Sequence, residues 1–566
     1  MTKVYTSELK SPQLPRSSIF HYVFPPKQKG RPHQWYPTPS PKSISFIDGL
    51  TGKELLRDDI HIRALWANAG LRIRGVKRGD VGMIFGPNSL FWVEALWAIQ
   101  AAEAICSPAN AAYPPPELAH QIENSGTSFV MVAPDNVPVL EKAIELLSPT
   151  AKAQLSTKRI ILMCDYKDKP PGTPYSCMQE LWGEQARPRQ ISGGEEKEIA
   201  YLCYSSGTTG KAKGVMTSHH NMQCQVQALY SCHEKLFPSK DKILAVLPFS
   251  HIYGLTLTIH FPLIYGVPVV VLPKFDPETV FKVIEKYRVT FFFCVPPMLI
   301  AMMNSPKMAQ YDLSSLRGLM LGAAPCDAKL IEKFENLFPK VKGYGMTETS
   351  PVTHLMTLEE GHTHKGSIGK IMPTMQGRLV DPETGKDVAQ GERGELWVRG
   401  PSVMRGYWKN EEATRGTFAA GGWLRTGDIA VADKEGYFYI VDRLKELIKY
   451  KGFQVPPAEL EALLLTHSKI ADVGVIGVWD AEQSTEMPRA YVVPSGGLAN
   501  LPKDQHEVFS KAIVDWVADR VSNHKKLRGG VILLAEIPKS PSGKILRKDL
   551  RELAKKDVQK GRQAKL

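Results

Sequence analysis

Residues 204–216 read YSSGTTGKAKGVM, a run that gathers hydroxyls at Ser205, Ser206, Thr208 and Thr209 and ammonium groups at Lys211 and Lys213 around Gly207, Gly210 and Gly214. Hydroxyls, cations and the N–H groups that a glycine-rich turn leaves free are the donors a polyphosphate needs. The same composition also describes an ordinary solvated loop. A Walker-type phosphate loop is excluded. G-x-x-x-x-G-K-[ST] requires glycine five places before Gly210 and a hydroxyl after Lys211, where the chain has Ser205 and Ala212.

Such a loop works only if a rigid element presents it. EIAYLCYSSGTTG reads as a buried strand with the loop at its carboxyl end. Uniformly apolar runs alternate with helix-length segments on both sides of it: VGMIF, SFVMVA, KILAVLPF, VPVVVL before PETVFKVIEKY, and VTFFFCVP. Strands without a polar face, separated by helices, predict a mainly parallel sheet covered on both sides, and such sheets bind ligands beyond the carboxyl ends of their strands. From about 365 to 441 the texture becomes short strands and turns, as in GELWVRG and GWLRTGDIAVADKEGYFYIVD, which predicts a small β subdomain. Mixed helices and strands follow. We therefore expect a main unit over 1–441, a joint at 442–445 and a smaller unit over 446–566.

The chain has 566 residues, 43% of them hydrophobic and 23% charged, which fits a folded protein of more than one domain. Its formal charge of +13 suits nucleic acid, an acidic membrane surface or anionic small molecules. No zinc-finger, RNP-type or basic-zipper pattern is present, so anionic cofactors are the simpler explanation and no nucleic-acid partner is expected. The eight cysteines include no C-x-x-C pair, as for reduced thiols. The amino terminus lacks the apolar region of a secretory signal. The longest apolar stretch, 255–273, is divided by His260, Pro262, Gly266 and Pro268, which predicts helix, turn and buried strand in place of a membrane span.

The loop opens the first of eight ordered blocks: YSSGTTGKAKGVMTSHHN, LPFSHIYG, LGAAP, GYGMTETSPV, GELWVRG, GWLRTGDIA, DRLKELIKYKGFQVPPAELE and PKSPSGKILRKDLR. Together, from about residue 50 to 550, they resemble the acyl-adenylate-forming superfamily, nearest to the 4-coumarate:CoA ligases and related acyl-CoA synthetases. The resemblance implies an α/β fold, with two doubly wound subdomains and the β subdomain forming the large unit and a mobile α+β domain at the carboxyl end. It also implies ATP, magnesium and coenzyme A, with acyl-AMP formed first and the thioester second.

Carried onto this sequence, the resemblance assigns the β- and γ-phosphates to the 205–213 loop, with Lys213 as a point charge. Ala323, Ala324 and Pro325 line the adenine and acyl side. In the block beginning Gly343, Tyr344, Gly345 and Met346, Tyr344 meets adenine, Thr347 the α-phosphate and Glu348 the magnesium ion. Asp428 accepts from the ribose hydroxyls, and Arg443 adds a cation. Lys544 neutralises the attacking carboxylate and α-phosphate. Rotation about Lys445 exchanges Lys544 for the opposite face, where Lys449 and Gln454 assist thioester formation and Lys451 and Gly452 contact coenzyme A, as does Lys274. His251, as an aromatic gate, and Tyr253 line the acyl pocket, completed by Gly322, Ala323, Gly345, Pro351 and Val352. The acid expected is an aryl, hydroxycinnamate-like or medium-chain carboxylate, although Leu321 and Cys326 depart from the Ser and Leu common in plant coumarate enzymes. The end Ala564-Lys565-Leu566 resembles the peroxisomal import tripeptide and implies an import receptor as partner, and peroxisome over cytosol. The chain is expected as a monomer or weak homodimer. The competing readings are a luciferase-like or carrier-protein adenylating enzyme and, in a different class, a basic nucleic-acid binder.

Overall fold

Helix Leu90–Ala101, LFWVEALWAIQA, is buried nearly all round, as a helix without a polar face must be. Ser89 caps it, its side chain accepting from the Trp92 N–H at 3.1 Å. The helix touches strands of two different sheets. Trp92 packs edge-on against Phe249, and Trp97 edge-on against His260.

The computed structural model describes residues 3–26, 36, 38–191, 194–205, 212–233, 235–322, 340–444, 446–451, 453–480, 483, 485–539 and 544–563. One of the two sheets has seven strands, in the order Lys213–Ser218, Ile199–Ser205, Ile105–Ala109, Val81–Phe85, Thr127–Val132, Ile160–Leu162 and Ser176–Cys177. All pair in parallel except Lys213–Ser218, which turns back antiparallel on Ile199–Ser205. The other has nine, with Lys340–Gly345, Gly318–Leu321, Phe291–Cys294, Ile243–Ala245, Val269–Val271 and Ile44–Asp48 parallel at its centre and antiparallel strands at both edges. Its alternation shows why the inner strands Phe291–Cys294, Ile243–Ala245, Val269–Val271 and Gly318–Leu321 are apolar on both faces. Phe291 and Phe293 point into the core shared with the first sheet, while Phe292 and Leu319 point into a second core under helix Pro277–Tyr287.

The divided apolar stretch behaves as its prolines and glycines require. A π-helical run Leu255–His260 passes into helix Phe261–Tyr265, Gly266 turns the chain at φ +74°, and Val269–Val271 enters the sheet. No helix among the described residues is long and apolar enough to cross a membrane.

The third sheet is antiparallel and has six strands: Tyr5–Thr6, Gln376–Val380, Gly394–Arg399, Trp423–Ala432, Phe418–Ala419 and Phe438–Arg443. Its edge comes from the amino terminus, where the Tyr5 ring meets Phe438 edge-on at 4.9 Å. Lys370–Ile371 pairs with the nine-stranded sheet instead, and Phe438–Arg443 runs into the 442–445 segment. Beyond it lie a hairpin, Ile448–Tyr450 with Phe453–Val455, helix Pro457–Leu465, and a three-stranded sheet of Ile470–Asp480, Thr485–Pro494 and Val531–Leu533. Helices His506–Ala518 and Arg547–Gln563 complete this part. It has a core of its own, in which Leu460, Leu464, Val475, Val492 and Ile513 are buried together.

Candidate active site

Strand Lys340–Gly345 ends at Tyr344 and Gly345, turns through Thr347–Thr349 and returns as Val352–Leu355. The turn is tight. The Met346 N–H donates to the Pro351 carbonyl at 3.0 Å, and a Cβ on Gly345 would stand 2.0 Å from that same oxygen. Only glycine fits there without moving backbone. Tyr344 leaves the strand toward the six-stranded sheet and donates its hydroxyl to Asp428 Oδ2 at 2.6 Å. Asp428 lies on Trp423–Ala432, in register with Arg443 on the neighbouring strand, and Arg443 Nε stands 3.1 Å from Asp428 Oδ1. Asp428 thereby holds the guanidinium above its ordinary pKa, while burial and then Asp428 push the Tyr344 phenol up.

The next two residues, Thr347 and Glu348, are buried at the turn. Glu348 Oε1 accepts from the Tyr407 hydroxyl at 2.8 Å, and Lys213 Nζ stands 4.8 Å from the centre of the same ring. Both Glu348 and Lys213 line a cavity of about 1210 Å³ together with Ser205, Tyr344, Arg443 and Lys544. Among the described residues no group of three His, Cys, Asp or Glu is placed to hold a metal ion. The Glu348 carboxylate at the edge of this cavity fits magnesium, which takes most of its ligands from phosphate and water.

Lys544 reaches this cavity from the carboxy-terminal part. It precedes Ile545, which bridges to Lys539, and helix Arg547–Gln563 follows at once. Burial, with repulsion from Arg443, brings its ammonium down to about 8, against the pull of Glu446 and Asp428. The helix start is fixed by Arg547, whose guanidinium is buried between Glu446 at 2.8 Å and Glu461 at 2.7 Å and also donates to the Val475 carbonyl at 3.2 Å. Asp442 spans the joint itself: Oδ1 accepts from the Arg443 N–H at 2.6 Å and Oδ2 from the Ala458 N–H at 3.1 Å. Burial pushes its carboxyl up to about 7.

The opposite wall is apolar. Tyr253 donates its hydroxyl to the Met320 carbonyl at 2.9 Å, and its ring lies 3.3 Å from where a Cβ on Gly322 would be. Pro351 and Val352 face the same space. His251 caps Ile252–Gly254, its Nδ1 accepting from the Tyr253 N–H at 3.2 Å. Close packing holds its imidazole down to about 4, so it is neutral at physiological pH.

The cavity thus brings together Ser205, Lys213, His251, Tyr253, Gly322, Gly343, Tyr344, Gly345, Met346, Thr347, Glu348, Pro351, Val352, Arg443 and Lys544, with Asp428 one hydrogen bond behind Tyr344. Lys449 and Lys451 are exposed on the Ile448–Tyr450 hairpin and its turn, and neither lines the cavity; Gln454 pairs in register with Lys449. Lys274 is exposed just after Val269–Val271, also away from it. Ser206, Gly207, Thr208, Thr209, Gly210, Ala323, Ala324, Pro325, Cys326, Lys445, Gly452 and Ala564-Lys565-Leu566 lie outside the described residues. Tyr407 and Arg547 were missed by sequence reasoning, and Asp442 was read only as the first residue of the joint. Nothing in the MRGYWKN run marks its tyrosine as a partner of a carboxylate far away in the chain.

The AMP-binding enzyme family matches residues 46–408, and the AMP-binding enzyme C-terminal domain matches 459–544, ending on the lysine in the cavity. A probable CoA ligase of Humulus lupulus, CCL5, is 37% identical over 523 residues, 90% of each chain. Peroxisomal OPC-8:0-CoA ligase 1 of Arabidopsis thaliana is 38% identical over 521 residues, again 90% of each. Among solved structures, the Bacillus subtilis o-succinylbenzoate coenzyme A synthetase in complex with ATP and magnesium superposes with a TM-score of 0.75 at 25% identity, covering 95% of this chain and 99% of that one. The anthranilate CoA ligase AuaEII with anthranoyl-AMP shares the fold, with a TM-score of 0.79 at 24% identity over 95% and 96% of the two chains. The chain belongs to the AMP-binding enzyme family, among its acyl-CoA ligases.

Proposed function

We propose that this ligase joins an apolar aryl or medium-chain monocarboxylic acid to coenzyme A through an acyl-adenylate, with Lys544 serving the first half-reaction and the hairpin bearing Lys449 and Gln454 the second. The observation that carries this reading is Lys544 in the same cavity as Arg443, Tyr344, Glu348 and Lys213, with Lys449 and Lys451 turned out to solvent.

In the first step an oxygen of the acid attacks the α-phosphorus of ATP, and pyrophosphate leaves. Both reactants are anions, so the barrier falls where cations stand ready before reaction. Lys213, with the 205–210 loop before it, binds the outer phosphates, Thr347 and Lys544 face the α-phosphate, Tyr344 covers adenine with the Ala323–Pro325 segment beside it, and Asp428 accepts from the ribose. Magnesium, held through Glu348, would supply positive charge to the phosphates. In the second step the thiol of coenzyme A attacks the acyl carbon, its proton leaves to solvent, and AMP departs. This step requires a rotation about Lys445 in the 442–445 joint, which withdraws Lys544 and presents Lys449, Gln454, Lys451 and Gly452; Lys274 then meets a phosphate of the coenzyme.

The acid class follows from the wall formed by Tyr253, Met320, Gly322, Pro351 and Val352. None of these carries a charge to pair with a second carboxylate, whose burial unpaired is costly. His251, neutral, borders this wall as a gate. The Ala564-Lys565-Leu566 end, together with a peroxisomal relative, supports import into peroxisomes.

The test is pyrophosphate release with ATP, magnesium and a panel of cinnamic, phenylacetic, benzoic, medium-chain and dicarboxylic acids. Lys544→Ala abolishes adenylate formation yet still converts supplied acyl-AMP to thioester, and Lys449→Ala does the reverse. Equal loss of both steps in both variants overturns the division of labour, and preference for a dicarboxylate overturns the acid class.

A further inference from the structure

Tyr407 makes three connections that the proposed roles above do not use. Its hydroxyl donates to Glu348 Oε1 at 2.8 Å, its ring lies under the Lys213 ammonium at 4.8 Å, and its own segment is hydrogen-bonded along the strand that Lys213 begins. The last connection is a backbone ladder. The Met216 N–H donates to Gly406 O at 2.9 Å, Arg405 N–H to Met216 O at 2.9 Å, and Trp408 N–H to Gly214 O at 2.8 Å. The same segment reaches the Glu348 turn, where the Met404 N–H donates to Glu348 O at 2.8 Å. Gly406, at φ +133°, supplies the bend that aims the next side chain into the cavity.

Given the ligase reading above, we infer that Tyr407 is a positioning residue for adenylation, fixing the carboxylate of Glu348 and the ammonium of Lys213 relative to each other across the triphosphate site. Glu348 sits in the turn Thr347–Thr349 between two strands of the nine-stranded sheet and Lys213 at the start of the antiparallel edge strand of the seven-stranded one, so no single element sets their spacing. An aromatic ring attracts a cation to its face while its phenol donates to a carboxylate in its plane. One side chain therefore orients both signs of charge, and its backbone is tied to both turns. AMP lacks the two phosphates these groups would meet, and its binding is independent of Tyr407.

Calorimetry on the full chain with magnesium and a non-hydrolysable ATP analogue, and separately with AMP, tests this. Tyr407→Phe keeps the ring and loses the hydrogen bond to a charged group, so affinity for the magnesium-analogue complex falls roughly tenfold or more, half-saturation requires more magnesium, and AMP affinity stays at its wild-type value. Tyr407→Leu loses the cation contact as well, a further loss of about threefold. The double variant Tyr407→Phe with Glu348→Gln loses no more than Glu348→Gln alone. A Tyr407→Phe protein that matches wild type toward the analogue, or that loses AMP and analogue affinity in parallel, overturns the inference and leaves the ligase reading standing. A wild-type chain that binds neither nucleotide overturns both.

Discussion

The hydroxyl of Tyr344 donates to Asp428 Oδ2 at 2.6 Å while Arg443 Nε stands 3.1 Å from Oδ1, so both oxygens of one buried carboxylate are already engaged by the protein. A carboxylate offers about four acceptor positions, which leaves room for the two hydroxyls of a ribose. Asp428→Asn keeps the shape and turns one acceptor into a donor that faces either Tyr344 or Arg443. We expect AMP affinity to fall at least about tenfold, the scale of a hydrogen bond to a charged group. Tyr344→Phe keeps the ring and frees an acceptor, so its loss is only about threefold. Nucleotide titration of the two variants checks the order, and a greater loss in Tyr344→Phe would contradict it.

A second expectation concerns pH. Burial, with Arg443 next, brings the Lys544 ammonium down to about 8 from an ordinary 10.5. The ammonium is half charged at about pH 8, almost complete about a unit below and lost about a unit above. If that charge drives adenylation, kcat/KM for ATP in the pyrophosphate assay is level below pH 8 and then declines toward a tenfold loss per unit. Stability takes the opposite sign. The unfolded chain keeps this proton up to about 10.5, so the cost of burying the charge is present below pH 8 and is relieved between 8 and 10.5. Lys544→Arg, whose charge persists, shows a low rate with no alkaline decline; a decline unchanged in that variant would assign it to another group.

The third expectation contrasts two glycines of the same wall. A Cβ at Gly345 would meet the Pro351 carbonyl at 2.0 Å, which only a backbone shift can relieve, whereas at Gly322 it would meet the Tyr253 ring at 3.3 Å. Gly345→Ala therefore lowers adenylation of every acid, on the order of a hundredfold, because the turn carrying Thr347 and Glu348 moves with it. Gly322→Ala narrows the pocket and shifts preference toward smaller acids with little change in AMP binding. An acid panel run on both variants separates the two outcomes.

Strands such as Val81–Phe85, Ile243–Ala245, Val269–Val271 and Phe291–Cys294 were legible because each is apolar on both faces and bounded by turn residues, and the 255–273 stretch because proline and glycine allow few alternatives; Ile44–Asp48 and Lys340–Gly345, which carry polar side chains, were not. The edge strand Tyr5–Thr6 was not, since two residues of a polar terminus carry no periodicity and only the free edge at Gln376–Val380 gives them a partner. Lys370–Ile371, inside a run that reads as β-rich, joined a different sheet for the same reason: strand partners are chosen by open edges.

By itself the sequence determined the chemistry available: a hydroxyl- and lysine-rich loop after a buried strand, eight ordered blocks, and Lys544 beside a helix start. Residue types and local spacing specify such features because they arise within a few bonds of each other. Tertiary structure alone decided which groups meet. Tyr344 with Asp428, Tyr407 with both Lys213 and Glu348, and Arg547 with Glu446 and Glu461 are pairs far apart in the chain, brought within hydrogen-bonding or ring-contact range when three sheets and a carboxy-terminal core pack against one another. Direct contact at 3 Å depends on the orientation of whole layers, and no local pattern in the chain encodes that orientation.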